Sequence, residues 1–210
     1  LLAESIKGLH RCPRAVAHEA LTVVADMTRA TMLEAHIRGQ SDVPIQQWNY
    51  IADGKTSSMF RWCGRSTGFL SKDIMATDIF GVFGSHFGTA FQMADDLLDI
   101  QPSTSGKTQF ADIRNRNPSY PIIIACQRSK SFQKELSRAW ATESLSEDKI
   151  QRLGQGIIST GAAEYTFETI RTEVEKGLNA LGSYVNKPGC REIASWASGM
   201  WQRFAREEAV

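Results

Sequence analysis

Apolar residues recur along this chain at three- and four-residue intervals, and the alternation expected of β-strands is nearly absent. The pattern predicts an all-α fold. A helix remnant covers residues 1–9. Pro13 suits the first position of a new helix, and from Arg14 the positions Val16, Ala20, Val23, Val24, Met27, Thr31, Met32 and Ile37 continue to a stop at Gly39. Asp42 and Pro44 restart a helix whose stripe of Ile45, Trp48, Ile51, Met59, Phe60 and Cys63 reaches about Phe69. A third helix is expected from Ser71–Asp73 to about Ile100. Its interior holds Gly81, Gly84 and Gly88, which cost stability in a helix interior unless another helix packs closely there. Residues 102–108 read as a loop, Phe110 to Arg114 as a short helix, and RNRNPSYP as an irregular joint. Helical segments follow at Ile122–Gln127, Ser131–Ala141, after Glu147 to Leu153, at Ala162–Leu181 and at Glu192–Arg206.

Charge changes this picture little. Lys and Arg total 24, Asp and Glu 23, for a net charge of +1, which excludes a basic nucleic-acid binder by bulk charge. The longest apolar run, Ile122 to Cys126, is far short of the roughly 20 residues of a membrane span, so no transmembrane segment is expected. Four scattered cysteines (Cys12, Cys63, Cys126, Cys190) form no CxxC pair and suit a reducing compartment, hence a cytoplasmic location.

The chemistry concentrates in FQMADDLLD. Asp95 and Asp99 fall on one helical face and Asp96 lies close to it. Three carboxylates at the C-terminal end of a helix repel one another and oppose its dipole, an arrangement that a cation would offset. Carboxylate oxygens suit Mg²⁺, which bridges readily to phosphates. The strings GKTSS (54–58) and GKTQF (106–110) supply Lys55 and Lys107, but neither is a P-loop, since Asn49 and Gln101 stand where its first Gly is required. His10, His18, His36 and His86 lack partner spacing.

Taken together, these segments resemble the trans-prenyl diphosphate synthase (polyprenyl synthetase) family. FQMADDLLD is similar to its second aspartate-rich motif, FQxxDDxxD, and SGKTQFADI to the segment GK-x4-D(I/L) that follows. NPSYPIII stands in the place of a Thr-Leu-Pro stretch, DGKTSSMFRWCG resembles the KT(A/S)xLF helix, TRATMLEAHIRGQSD the Gly-Gln…Asp stretch, and TGAAEYTFETIRTEVEKGLNAL the closing helix. The resemblance implies an isoprenoid-synthase-type helical bundle around a central cavity, and a Mg²⁺-dependent enzyme that ionises an allylic diphosphate and joins it to isopentenyl diphosphate. Carried over by position, Asp95, Asp96 and Asp99 hold Mg²⁺, Lys55, Lys107 and Gln92 contact the diphosphate, and Lys55, Thr56 and Gln92 act at the reacting centre, with Asp112 in support.

Two departures accompany it. Asn117 stands where many members carry Lys, which weakens the expected diphosphate clamp. The family's first aspartate-rich motif and the basic residues around it are absent, and the chain opens at Leu1 inside an amphipathic helix. The expectation is therefore one helical domain over 1–210 whose N-terminal helices are missing or come from another polypeptide. The chain is expected to work as a homodimer or as a heterodimer with a related subunit, through the stripe of Arg14–Arg38. A half-site or non-catalytic subunit and a class I terpene cyclase are the alternatives; DDLLD lacks the Asn/Ser/Glu triad of such cyclases.

Overall fold

Pro13 and Gly39 bracket the first long helix, as their chemistry requires. The computed structural model describes residues 7–101 and 109–207. Helix α1 spans Arg14–Ile37; the Pro13 carbonyl accepts the first bond, from the Ala17 N–H. Gly39 then turns the chain at φ +79°, a region that favours glycine. The following elements are α2 (Ile45–Ala52), α3 (Ser58–Ser71), α4 (Ile74–Leu98), α5 (Ala111–Arg114), α6 (Tyr120–Arg128), α7 (Lys130–Trp140), α8 (Glu147–Ser159), α9 (Ala162–Ala180) and α10 (Cys190–Glu207). No strand occurs among the described residues, so the all-α expectation holds.

Three boundaries differ from the sequence reading. The helix expected from Pro44 to Phe69 is interrupted by a widened, π-helical turn at Asp53–Ser57. Gly54 lies in that turn, where a Cβ would approach the Ala30 Cβ to 2.7 Å. Helix α6 begins at Tyr120, inside the stretch read as irregular, because Pro121 is tolerated in the first helical turn. Helix α8 continues past Leu153 to Ser159. Its Gly154 and Gly156 do not end it; they are notches against which the rings of Phe110 and Phe132 press.

Contacts divide the chain into two compact units, one of Leu1–Ala30, Ala52–Ala90 and Arg171–Val210, the other of Thr31–Ile51 and Phe91–Ile170. In the first, α3 and α4 cross with their backbones nearly touching. A Cβ on Gly64 or Gly84 would collide with the carbonyl of Phe80 or Phe60, and one on Gly88 would lie 2.5 Å from the Ser57 Cα. The glycines of α4 that the sequence marked thus meet partners on α3. Asp73 starts α4 by accepting the Ala76 N–H at 2.9 Å, and its other oxygen accepts the Tyr184 hydroxyl at 2.8 Å. The second unit has an apolar core in which Leu97, Ile100, Phe110, Ile113, Ile122, Leu136, Ile150, Leu153 and Ile157 are almost wholly buried. Ser129 and Ser146 cap α7 and α8 by accepting the N–H groups of Phe132 and Lys149.

The seam makes a paired prediction. Gly84→Ala forces a methyl into main chain that cannot yield and should cost about 2–3 kcal/mol. Gly81→Ala meets a side chain and not main chain, the Arg65 Cγ at 2.7 Å with its guanidinium paired to Glu19 and Asp78, and should cost less, about 1 kcal/mol. Urea melts of the two variants check this, and equal costs would refute the seam.

Candidate functional site

The last turn of α4 carries the acidic cluster into the second unit, where each aspartate meets a different environment. Asp95 is exposed. Asp96 is buried, and its carboxylate is the hub of three hydrogen bonds. Trp48 Nε1 donates to Oδ2 at 2.8 Å, the Tyr120 main-chain N–H donates to the same oxygen at 2.9 Å, and Gln92 Nε2 donates to Oδ1 at 3.0 Å. The rings of Trp48 and Tyr120 meet edge to face, 4.7 Å between centroids. Asp99 is half-buried and works as a cap for α5. Its two oxygens accept the main-chain N–H groups of Ala111 and Asp112 at 2.8 and 2.9 Å. Asp112 in turn accepts from Asn117 Nδ2 at 2.9 Å.

Phe110 makes this arrangement possible. It adopts a left-handed backbone, φ 60° and ψ 34°, which is strained for a side chain of its size. Its N–H donates to the Asp99 carbonyl at 2.8 Å, and its ring is wholly buried against Gly154. The chain thereby reverses so that Ala111 and Asp112 aim their N–H groups at the Asp99 carboxylate.

Negative charge accumulates here, offset among the described residues in part by Arg114, whose charge acts on Asp99. Burial, reinforced by the charge of Asp112, pushes the Asp96 carboxyl up to about 7 against the pull of its three donors. Burial and the charges of Asp99 and Asp95 push Asp112 up to about 6, opposed by hydrogen bonds from Asn117 and Ser119. Asp99 is raised too, by burial first and by the charge of Asp95, although two N–H groups favour its ionised form. Folded-state values above the unfolded value mean that the native state binds more protons than the unfolded chain between about pH 4 and 7. The stability of the metal-free protein should therefore fall as pH rises from 5 to 8. For Asp112 alone the change is on the order of 2 kcal/mol. Thermal melts at the two pH values check the sign, and Asp112→Asn should reduce the difference without abolishing it, because burial still holds Asp96 at its raised value.

The other residues marked by the sequence fall out as follows. Gln92 sits against Asp96. Lys55 and Thr56 lie on the π-helical turn of the first unit, both half-buried. Lys107 lies outside the described residues. Asp112 joins the cluster, and Asn117, which the sequence showed only as a departure, positions it. Trp48 and Tyr120 were read as core and joint; only the buried hydrogen bonds of their N–H groups reveal their part. Among the described residues no three His, Cys, Asp or Glu side chains form a group that encloses a metal by themselves. Mg²⁺ does not require one, since it commonly takes one or two carboxylates and completes its shell with water and substrate phosphates.

A family model, polyprenyl synthetase, matches residues 1–156. The chain belongs to this family. Among curated relatives of this polyprenyl synthetase, the all-trans-nonaprenyl-diphosphate synthase (geranyl-diphosphate specific) of Rhodobacter capsulatus is 28% identical over 163 residues, covering 76% of this chain and 50% of the relative. Among solved structures, the octaprenyl pyrophosphate synthase of Helicobacter pylori superposes with a TM-score of 0.82 at 21% identity, over 95% of this chain and 67% of that one. The heptaprenyl diphosphate synthase of Staphylococcus aureus gives 0.83 at 16% identity, over 90% and 60%. These likenesses show the all-α isoprenoid synthase fold. The chain spans about half the length of the curated relatives it matches.

Proposed function

We propose that this polyprenyl synthetase chain is a Mg²⁺-dependent prenyltransferase, condensing an allylic diphosphate with isopentenyl diphosphate to give a longer isoprenyl diphosphate. The observation that carries the reading is the cluster of Asp95, Asp99 and Asp112, mutually repelling carboxylates held at one end of α4 in a chain of this family. The donor set fits Mg²⁺: hard oxygens, with Asp95 exposed and Asp99 one helical turn away on the same face. When bound, Mg²⁺ supplies the positive charge that stabilises a departing diphosphate.

The protein's own residues prepare for that charge. Asp95 and Asp99 hold the cation's side of the site. The two N–H groups of α5 fix the rotamer of Asp99, and Asn117 fixes that of Asp112. Gln92 keeps its amide nitrogen on Asp96, which directs its carbonyl oxygen elsewhere, in line with a dipole beside a developing allylic cation. Lys55 and Lys107 are assigned to diphosphate and Thr56 to the reacting centre by their motifs. No helix among the described residues is long and apolar enough to cross a membrane, in keeping with a cytoplasmic enzyme. Exposed Leu21, Val24 and Met32 on α1 suit the helix of a partner subunit, in a homodimer or a heterodimer with a related chain.

The test is Mg²⁺-dependent incorporation of labelled isopentenyl diphosphate with a series of allylic diphosphates. A lengthened, labelled product supports the reading. Product formed only after a related subunit is added assigns this chain a half-site. No product under either condition, together with no Mg²⁺-dependent binding of pyrophosphate, overturns it.

A further inference from the structure

Asp96 belongs to the same motif as Asp95 and Asp99, yet its surroundings set it apart. It is 7% exposed, between Met93, Ala94 and Leu97, all buried, and beneath the edge-to-face pair of Trp48 and Tyr120. Three donors converge on it from three elements of the second unit: α2 through Trp48 Nε1, the first residue of α6 through the Tyr120 N–H, and the preceding turn of α4 through Gln92. A hydrated Mg²⁺ binds through oxygens it can reach with its remaining waters. Turning Asp96 towards such an ion would strand an indole N–H and a main-chain N–H in an apolar enclosure, and buried donors are costly to leave unpaired.

The geometry points to Asp96 as a positioning residue, with Trp48 its partner: it ties the last turn of α4 to α2 and to the start of α6, and so fixes the rotation that presents Asp95 and Asp99 to the cation. The inference rests on the Mg²⁺–diphosphate reading above and narrows it, since one motif aspartate holds the others in place and does not touch the metal.

The test uses the full chain, with Mg²⁺ and inorganic pyrophosphate as the probe, read by calorimetric titration and by melting in metal-free buffer. Asp96→Asn retains an oxygen for Trp48 and Tyr120, while its NH2 group replaces the oxygen that accepts from Gln92, so the Gln92 amide must turn over to present its carbonyl oxygen. The variant's Mg²⁺–pyrophosphate affinity should stay within about threefold of wild type, and its melting temperature should be unchanged. Asp96→Ala cuts the tie, and should lower the melting temperature and weaken affinity by about tenfold, as loss of a supporting partner does. Asp95→Asn should weaken affinity at least about a hundredfold with no loss of melting temperature.

An Asp96→Asn protein that is folded but as weak as Asp95→Asn would make Asp96 a ligand and overturn the proposal. So would an Asp96→Ala protein with wild-type affinity and melting. Should Asp96→Ala not fold, Trp48→Phe gives the same readout: affinity three- to tenfold weaker supports the tie, and unchanged affinity overturns it. A wild-type chain that binds no Mg²⁺–pyrophosphate defeats the proposed function instead. The metal-free melts then decide the tie, and Asp96→Ala melting at or above wild type overturns it.

Discussion

Asp95→Ala is expected to reduce Mg²⁺-dependent turnover by about 10²–10³-fold while leaving the metal-free protein as stable as before, or slightly more so. The two halves of this expectation have one cause. Asp95 is the exposed carboxylate of the cluster, and its charge bears on both Asp99 and Asp112, raising each. On the proposed reading, removing it deletes a carboxylate through which the cation would be held, so electrostatic stabilisation of the leaving group would be lost, an effect of that size for a single well-placed group. It also removes a repulsion that the fold otherwise bears. Turnover with labelled isopentenyl diphosphate checks the first half and a thermal melt the second. Wild-type turnover would remove Asp95 from the site; a large drop in melting temperature would make it structural.

The second large effect lies away from the carboxylates. Gly154→Ala should destabilise the protein by about 3 kcal/mol, lowering its melting temperature by roughly 6–12 °C. The added methyl would overlap the ring of Phe110, a residue without room to retreat because it is wholly buried. Its backbone already occupies a left-handed conformation, and its N–H is tied to the Asp99 carbonyl. Displacing the ring pulls on the turn that delivers the Ala111 and Asp112 N–H groups to Asp99, so diphosphate affinity should fall along with stability. Phe110→Leu in the Gly154→Ala background should recover part of the loss. A single variant that melts like wild type would show that the ring repacks freely.

How much of this the sequence reveals depends on the range over which each residue acts. Pro13, Gly39 and Asp73 act within a turn of themselves, and the helix boundaries they imply agree with the fold. Gly84 and Gly88 foretold a close crossing because a glycine inside a helix costs stability that only packing repays. The helix expected to end at Leu153 runs on through Gly154, which is a notch for the Phe110 ring contributed by a residue 44 positions earlier. The π-helical turn at Asp53–Ser57 had no signature, since its polar residues carry no apolar period to disturb. In FQMADDLLD the spacing revealed that carboxylates cluster, which is local. It did not distinguish Asp96 from Asp95, because that difference comes from Trp48, 48 positions earlier, and from Tyr120, 24 positions later. An indole N–H and a main-chain N–H leave no mark on hydrophobic periodicity, so the roles of Trp48 and Tyr120 became readable only with their partners in place.

The glycine seam between α3 and α4 has a mechanical meaning as well. Most helix pairs rest on interlocking side chains that have some freedom to hop between rotamers, and such pairs can shift slightly along one another. Here the contact surfaces are carbonyls and α-carbons, and the free positions on α4 recur only where Gly84 and Gly88 stand. A slip of one residue would drive a bulkier neighbour, such as Ser85 or Phe87, into the main chain of Phe60 or Ser57. The two helices can separate but they cannot slide, and the register of α4 is locked by the absence of side chains.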